Sequence, residues 1–165
     1  DVLADVLADE GHHVIAAEDG PAGLALMAAR TVDLVFLDVW LPNMGGIDVL
    51  RRIREEFPDA AVVMISGHAN IKLAVEAVKM GAFDFLEKPL SLERTTNAAR
   101  KALAMAALRR ENRSLKSAQP PEDTMVGSGE GMRRVLRDMQ PTEFSDEDPQ
   151  TMRRQSPALM ISRMS

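Results

Sequence analysis

The chain has 165 residues, 45% of them hydrophobic and 27% charged, which fits one folded domain plus a remainder and excludes a wholly disordered chain. With no cysteine, disulfide frameworks, thiolate zinc sites, iron–sulfur clusters and cysteine nucleophiles are excluded, and a reducing cytoplasm is the expected setting. The net charge of −5 disfavours nonspecific nucleic-acid binding, and no apolar run approaches the roughly 18 residues that span a bilayer. Neither nucleic acid nor a membrane is therefore an expected partner.

Asp1, Asp5 and Asp9 and the absence of a basic cluster rule out a signal peptide at the start. The chain opens on Asp1 rather than Met, so a fragment or a processed chain is expected. Val2, Leu3, Val6 and Leu7 recur at helical spacing, and Gly11 stops that helix. His13–Ala17 reads as a strand. Pro21 to Arg30 reads as a helix, entered at Asp19 or Gly20 with Pro21 in its first turn. The run from Val32 to Asp38 is a strand whose near-continuous apolar interior predicts burial on both faces. A loop with Pro42, Asn43, Gly45 and Gly46 leads to a helix over Ile47–Phe57. Ala61–Ile65 is a second doubly buried strand, ending at Ser66 and Gly67. Asn70 is placed to cap a helix to Met80, and Ala82–Leu86 is a last strand closed by Lys88 and Pro89. Ser91 caps a long helix from Leu92 to about Lys116.

The composition then changes. Residues 1–104 hold sixteen acids against ten bases, and residues 105–165 nine against ten. Ser117 to Asp123, with its Pro-Pro pair, reads as a linker, and Gly129 to Met139 as a short helix. Residues 141–165 sustain no period and are expected to be disordered.

Strands alternating with helices through short loops predict a parallel sheet covered on both faces. In such sheets chemistry gathers at the carboxyl ends of strands. That rule singles out Asp38, Ser66 and Lys88, each at or just past its own strand end. A carboxylate can attack a phosphoryl group to form an acyl phosphate, and a positioned ammonium and hydroxyl can stabilise the transferred charge. Taken singly, the three residues read as a helix cap, a turn former and a solvated lysine. Taken together they make a phosphoryl-transfer site. His12, His13 and His68 do not have metal-ligand spacing, and Arg109, Arg110 and Arg113 read as a solvated helix face.

The segments Leu37–Gly46, Met64–His68 and Gly81–Pro89 resemble, in order, the motifs of the receiver domain of bacterial two-component response regulators. They are most similar to the nitrogen-regulation NtrX branch of NtrC-type regulators. The resemblance implies a flavodoxin-like (CheY-like) doubly wound α/β/α fold over residues 1–104. It implies Asp38 as phosphoacceptor, Ser66 and Phe85 as switch residues, and Lys88 as the phosphate-binding lysine. It also implies a sensor histidine kinase as phosphodonor, a signalling rather than enzymatic role, and control of sigma-54-dependent transcription in the full-length protein.

Two departures accompany the resemblance. The family's first strand, with the acid pair that holds Mg2+, has no counterpart here, so Asp38 and the Trp40 backbone carbonyl would supply only part of a metal site. Mg2+ binding is accordingly expected to be weak, and two strand edges to lie open. Residues 105–124 read as linker helix and linker. Residues 125–140 resemble the opening of an AAA+ ATPase domain, yet no phosphate-binding loop, and hence no ATP site, occurs in the chain. A homodimer through the C-terminal helix, at Leu103, Ala107, Leu108 and Leu115, and through the open edges is expected. The alternative function is a truncated, non-phosphorylated dimerisation fragment.

Overall fold

The computed structural model describes residues 2–68, 71–118 and 158–162. Helix α1 (Val2–Asp9) buries Leu7 completely and leaves Asp5 and Asp9 on its exposed face. The chain reverses at Gly11, whose φ of 86° suits a residue without a side chain, and enters β1 (His13–Ala17). Helix α2 (Gly20–Ala29) is capped by Asp19, whose carboxylate accepts the Ala22 N–H at 2.8 Å, and carries Pro21 in its first turn.

Every residue of β2 (Leu34–Asp38) and of β3 (Ala61–Ser66) is buried, as their apolar runs predict for central strands. Between them α3 (Gly46–Glu56) packs Val49, Leu50 and Ile53 inward. Helix α4 (Ile71–Lys79) buries Leu73 and Ala77, and β4 (Asp84–Glu87) begins two residues later than the hydrophobic run suggests. The predicted Asn70 cap lies outside the described residues. Helix α5 (Leu92–Ala118) starts where expected, with Ser91 Oγ accepting the Arg94 N–H at 3.3 Å. It takes in the first two residues of the predicted linker; the proposed ATPase opening at 125–140 lies outside the described residues.

Side-chain alternation along the strands builds two cores. Val35, Leu37, Val62 and Met64 face α2, α3 and α4. Leu34, Phe36, Ala61, Val63 and Ile65 face α1 and α5, where Ala98, Ala99, Ala102 and Ala106 let the long helix lie close. The result is the three-layer arrangement expected from the sequence.

One expectation fails. Residues 158–162, predicted as part of a disordered tail, form strand β5 (Ala158–Ser162) inside the sheet, whose order is β1-β5-β2-β3-β4. The pairs β2–β3 and β3–β4 are parallel, but β5 runs antiparallel to both of its neighbours. It pairs from His13↔Ser162 to Ala17↔Ala158 on one side and from Leu34↔Ile161 to Phe36↔Leu159 on the other. The facing edges of β1 and β2, expected to be open, are therefore paired. The reason is the cost of unpaired backbone groups beside a buried strand, which any segment of strand-forming sequence can relieve. The segment Ala158-Leu-Met-Ile-Ser162 is short, apolar and free of proline and glycine, so it suits that slot.

Candidate functional site

Three strand ends converge at one edge of the sheet. Asp38 closes β2 and is almost wholly buried. Its Oδ2 accepts from Lys88 Nζ at 2.5 Å, across fifty residues of sequence, and its Oδ1 accepts the backbone N–H of Trp40 at 3.0 Å. Both carboxylate oxygens are thus engaged, one of them by a cation. Lys88 is brought there by the pairing of β4 with β3, continued by a bond from the Lys88 N–H to the Ser66 carbonyl at 2.8 Å. The Lys88–Pro89 peptide is cis.

Ser66 ends β3 and is fully buried. Its Oγ accepts the His68 N–H at 3.2 Å and donates to the His68 carbonyl at 3.0 Å, so the hydroxyl is held in its own turn rather than on Asp38. His68 itself is exposed. Phe85, in β4, is half-buried against the core shared with α2, α3 and α4. Trp40 is 37% exposed, and its contribution to Asp38 comes from the backbone.

Two residues that shape this edge were named in the sequence only as loop formers. A Cβ on Gly46 would stand 2.2 Å from the Asp38 carbonyl oxygen and 2.8 Å from Val39 Cα, so only glycine lets α3 begin directly behind Asp38. Asn43 adopts φ 66°, a conformation asparagine tolerates, and its Nδ2 donates to Asp19 Oδ2 at 2.7 Å. That bond ties the loop after β2 to the cap of α2. The Ala22 N–H, and then the Asn43 amide, hold the Asp19 carboxyl below the usual carboxylate range. The glycine-rich loop was the visible signal for both; what it packs against was not visible.

A hard cation such as Mg2+ wants several oxygen ligands, commonly including one or two carboxylates. Among the described residues no group of three or more His, Cys, Asp or Glu side chains could hold a metal ion, and Lys88 already occupies one Asp38 oxygen. The described residues do not by themselves fit a Mg2+ site. Strand β5 does not change this, because its antiparallel course brings Ala158 beside Ala17, the last residue of β1.

Away from this edge, two arginines read in the sequence as solvated are ion-paired. Arg110 contacts the buried Asp33, and Arg113 Nη1 lies 3.1 Å from Asp59 Oδ2. The predicted apolar seam of α5 is also narrower than expected. Leu103 packs on the core, whereas Leu108 and Leu115, joined by Met105, are exposed. No helix among the described residues is long and apolar enough to cross a membrane.

Comparison with known proteins agrees with the geometry. Residues 1–100 match the response regulator receiver domain. The nitrogen assimilation regulatory protein NtrX of Azorhizobium caulinodans is 45% identical over 128 residues, which are 76% of this chain and 28% of that protein. The chain thus spans just over a quarter of the length of such NtrX relatives. The crystal structure of the receiver domain of NtrX from Brucella abortus is 43% identical, with a TM-score of 0.61 over 63% of this chain and 88% of that one. The solution structure of a beryllofluoride-activated NtrC4 receiver domain dimer is 33% identical, with a TM-score of 0.61 over 64% and 87% of the two chains.

Proposed function

We propose, since the chain belongs to the response regulator receiver domain family, that Asp38 is its phosphoacceptor and that Lys88, Ser66 and Phe85 read the phosphorylated state. The observation that carries this reading is the 2.5 Å contact between Lys88 and the buried Asp38 at a junction of three strand ends. Receiver domains take phosphate from sensor histidine kinases, generally with Mg2+, and are regulatory rather than catalytic. In this reading one Asp38 oxygen attacks the phosphorus of a phosphohistidine. A carboxylate–phosphorus bond forms, the phosphorus–nitrogen bond breaks, and the imidazole leaves with a solvent proton. Lys88 releases its carboxylate oxygen and pairs with the phosphoryl oxygens, where a fixed cation stabilises spread charge. The Ser66 hydroxyl then leaves the His68 carbonyl for a charge-assisted bond to the phosphoryl group, and Phe85 turns into the space that opens. In the longer regulators to which such domains belong, that change would control transcription, sigma-54-dependent in the NtrC type. The alternative of a non-phosphorylated dimerisation module is favoured by the lack of a carboxylate cluster for Mg2+ among the described residues, and by the exposed Met105, Leu108 and Leu115.

One experiment tests both. The chain is incubated with acetyl phosphate and Mg2+, then analysed by intact mass and by sedimentation, beside Asp38→Asn. A slow, hydroxylamine-sensitive gain of one phosphoryl group that Asp38→Asn abolishes is expected, and persistence of the label in Asp38→Asn would refute the assignment. No label in either chain, with a dimer that Leu108→Glu and Leu115→Glu together dissolve, would select the alternative.

A further inference from the structure

The amino end of β2 carries a second arrangement of charges, outside anything phosphoryl transfer uses. Asp33, which directly precedes β2, is buried and meets Arg110 of α5 across seventy-seven residues of sequence. One helical turn further on, Arg113 meets Asp59 in the loop before β3. These contacts fall beyond Ala106, the last buried residue of α5, where packing alone no longer holds the helix to the sheet.

An opposing force acts at the same end of α5. Arg54 of α3 is half-buried; burial and, after it, the charge of Arg109 push its guanidinium below its ordinary value, and the charge of Asp59 pulls the other way. Arg54 is steadied by the Phe57, Pro58 and Ala60 carbonyls, but its Nε and the Nη1 of Arg109 are buried without a hydrogen-bond acceptor among the described residues. An open cleft of about 390 Å3 is lined by the ends of α2 and α3 and by Arg110 and Arg113, so these two side chains border space rather than a filled core. Two attractions close this joint. The like charges of Arg54 and Arg109, with two unsatisfied N–H groups, oppose them.

We propose that Asp33–Arg110 and Asp59–Arg113 form a latch that sets the direction in which α5 leaves the domain, and that opening the latch frees residues 107–118 as an intact helix. The exposed stripe of Met105, Leu108 and Leu115 is then presented at a fixed angle only while the latch is closed. This holds whether or not Asp38 is phosphorylated.

The chain contains no cysteine, so paired nitroxide labels can be placed without background. Labels at Glu55→Cys and Ser114→Cys, both exposed, span the joint; labels at Lys101→Cys and Ser114→Cys span only α5. Electron–electron resonance should give a single narrow distance for each pair. Arg110→Ala with Arg113→Ala should abolish the narrow peak across the joint and leave the one along the helix. Arg110→Lys with Arg113→Lys, which keeps both charges, should retain the peak. An unchanged distance across the joint in the double variant would overturn the proposal, as would equal broadening along the helix, which would mean fraying. Should the double variant fail to fold, Arg113→Ala alone decides by the same two distances.

Discussion

At the carboxyl end of β2, Asp38 meets Lys88; at the amino end, Asp33 meets Arg110. Both acids are buried, and both bases arrive from elements far away in sequence. At the carboxyl end the strand opens into a glycine-rich loop, and the neighbouring strand ends contribute a hydroxyl and an ammonium. At the amino end it meets the ends of two helices and the side of a third. A buried carboxylate beside a cation is thus common to a candidate reaction site and to a mechanical joint. The surrounding groups, not the pair, distinguish them: at Asp38 each partner could be redirected to an incoming phosphoryl group, whereas at Asp33 the partners only close a contact.

The largest effect is expected from the backbone behind Asp38. Gly46→Ala places a methyl 2.2 Å from the Asp38 carbonyl oxygen, so α3 or the strand end must move. Overpacking of that kind costs typically about 1–3 kcal/mol and occasionally more. Urea unfolding should show a loss at the upper end of that range, and the amide resonances of residues 38–46 should shift. The amino end should be spared.

Next come the two pairs. Lys88→Ala and Arg110→Ala each remove one cation from beside a buried carboxylate, a loss of about 1–3 kcal/mol once the partial exposure of both bases is allowed for. The two acids are about 17 Å apart along an extended strand, so the double variant should lose the sum to within about 0.5 kcal/mol. A larger departure in urea denaturation would mean that β2 transmits strain from one end to the other.

The smallest effect belongs to Asp19, which joins the cap of α2 to the loop after Asp38. Its carboxyl is held below its ordinary value, so its stabilising contribution is complete above the unfolded-state value of about 4 and is lost as pH falls through the lowered native one. Asp19→Ala should therefore lower thermal stability slightly at neutral pH, and the difference from the unaltered chain should vanish in strong acid. A difference that persists there would show that the loop, not the carboxylate charge, was lost.

Much of the Asp38 end was legible because strand ends are written locally. A doubly apolar run stops at Asp38, another at Ser66, and a shorter one before Lys88-Pro89. The parallel-sheet rule then places their ends together. The Asp33 end was illegible for the opposite reason. Arg110 and Arg113 lie on a helix whose spacing is equally compatible with solvent, and nothing near Asp33 in sequence identifies their partner. The packing of Gly46 against Asp38 was hidden in the same way: a glycine pair announces a turn without saying which backbone approaches it.

By itself the amino-acid sequence determined the alternation of strands and helices, the burial of β2 and β3 on both faces, and the candidate triad of Asp38, Ser66 and Lys88. These follow from period, chain reversal and side-chain chemistry within a few residues of each position. Only the tertiary structure decided that Ala158–Ser162 fills the sheet between β1 and β2, that it runs antiparallel there, and that α5 is held by Asp33 and Asp59. A backbone edge accepts any segment able to form strand hydrogen bonds, and a buried carboxylate any cation within reach. Which segment and which cation depends on distances in the folded chain rather than on local sequence.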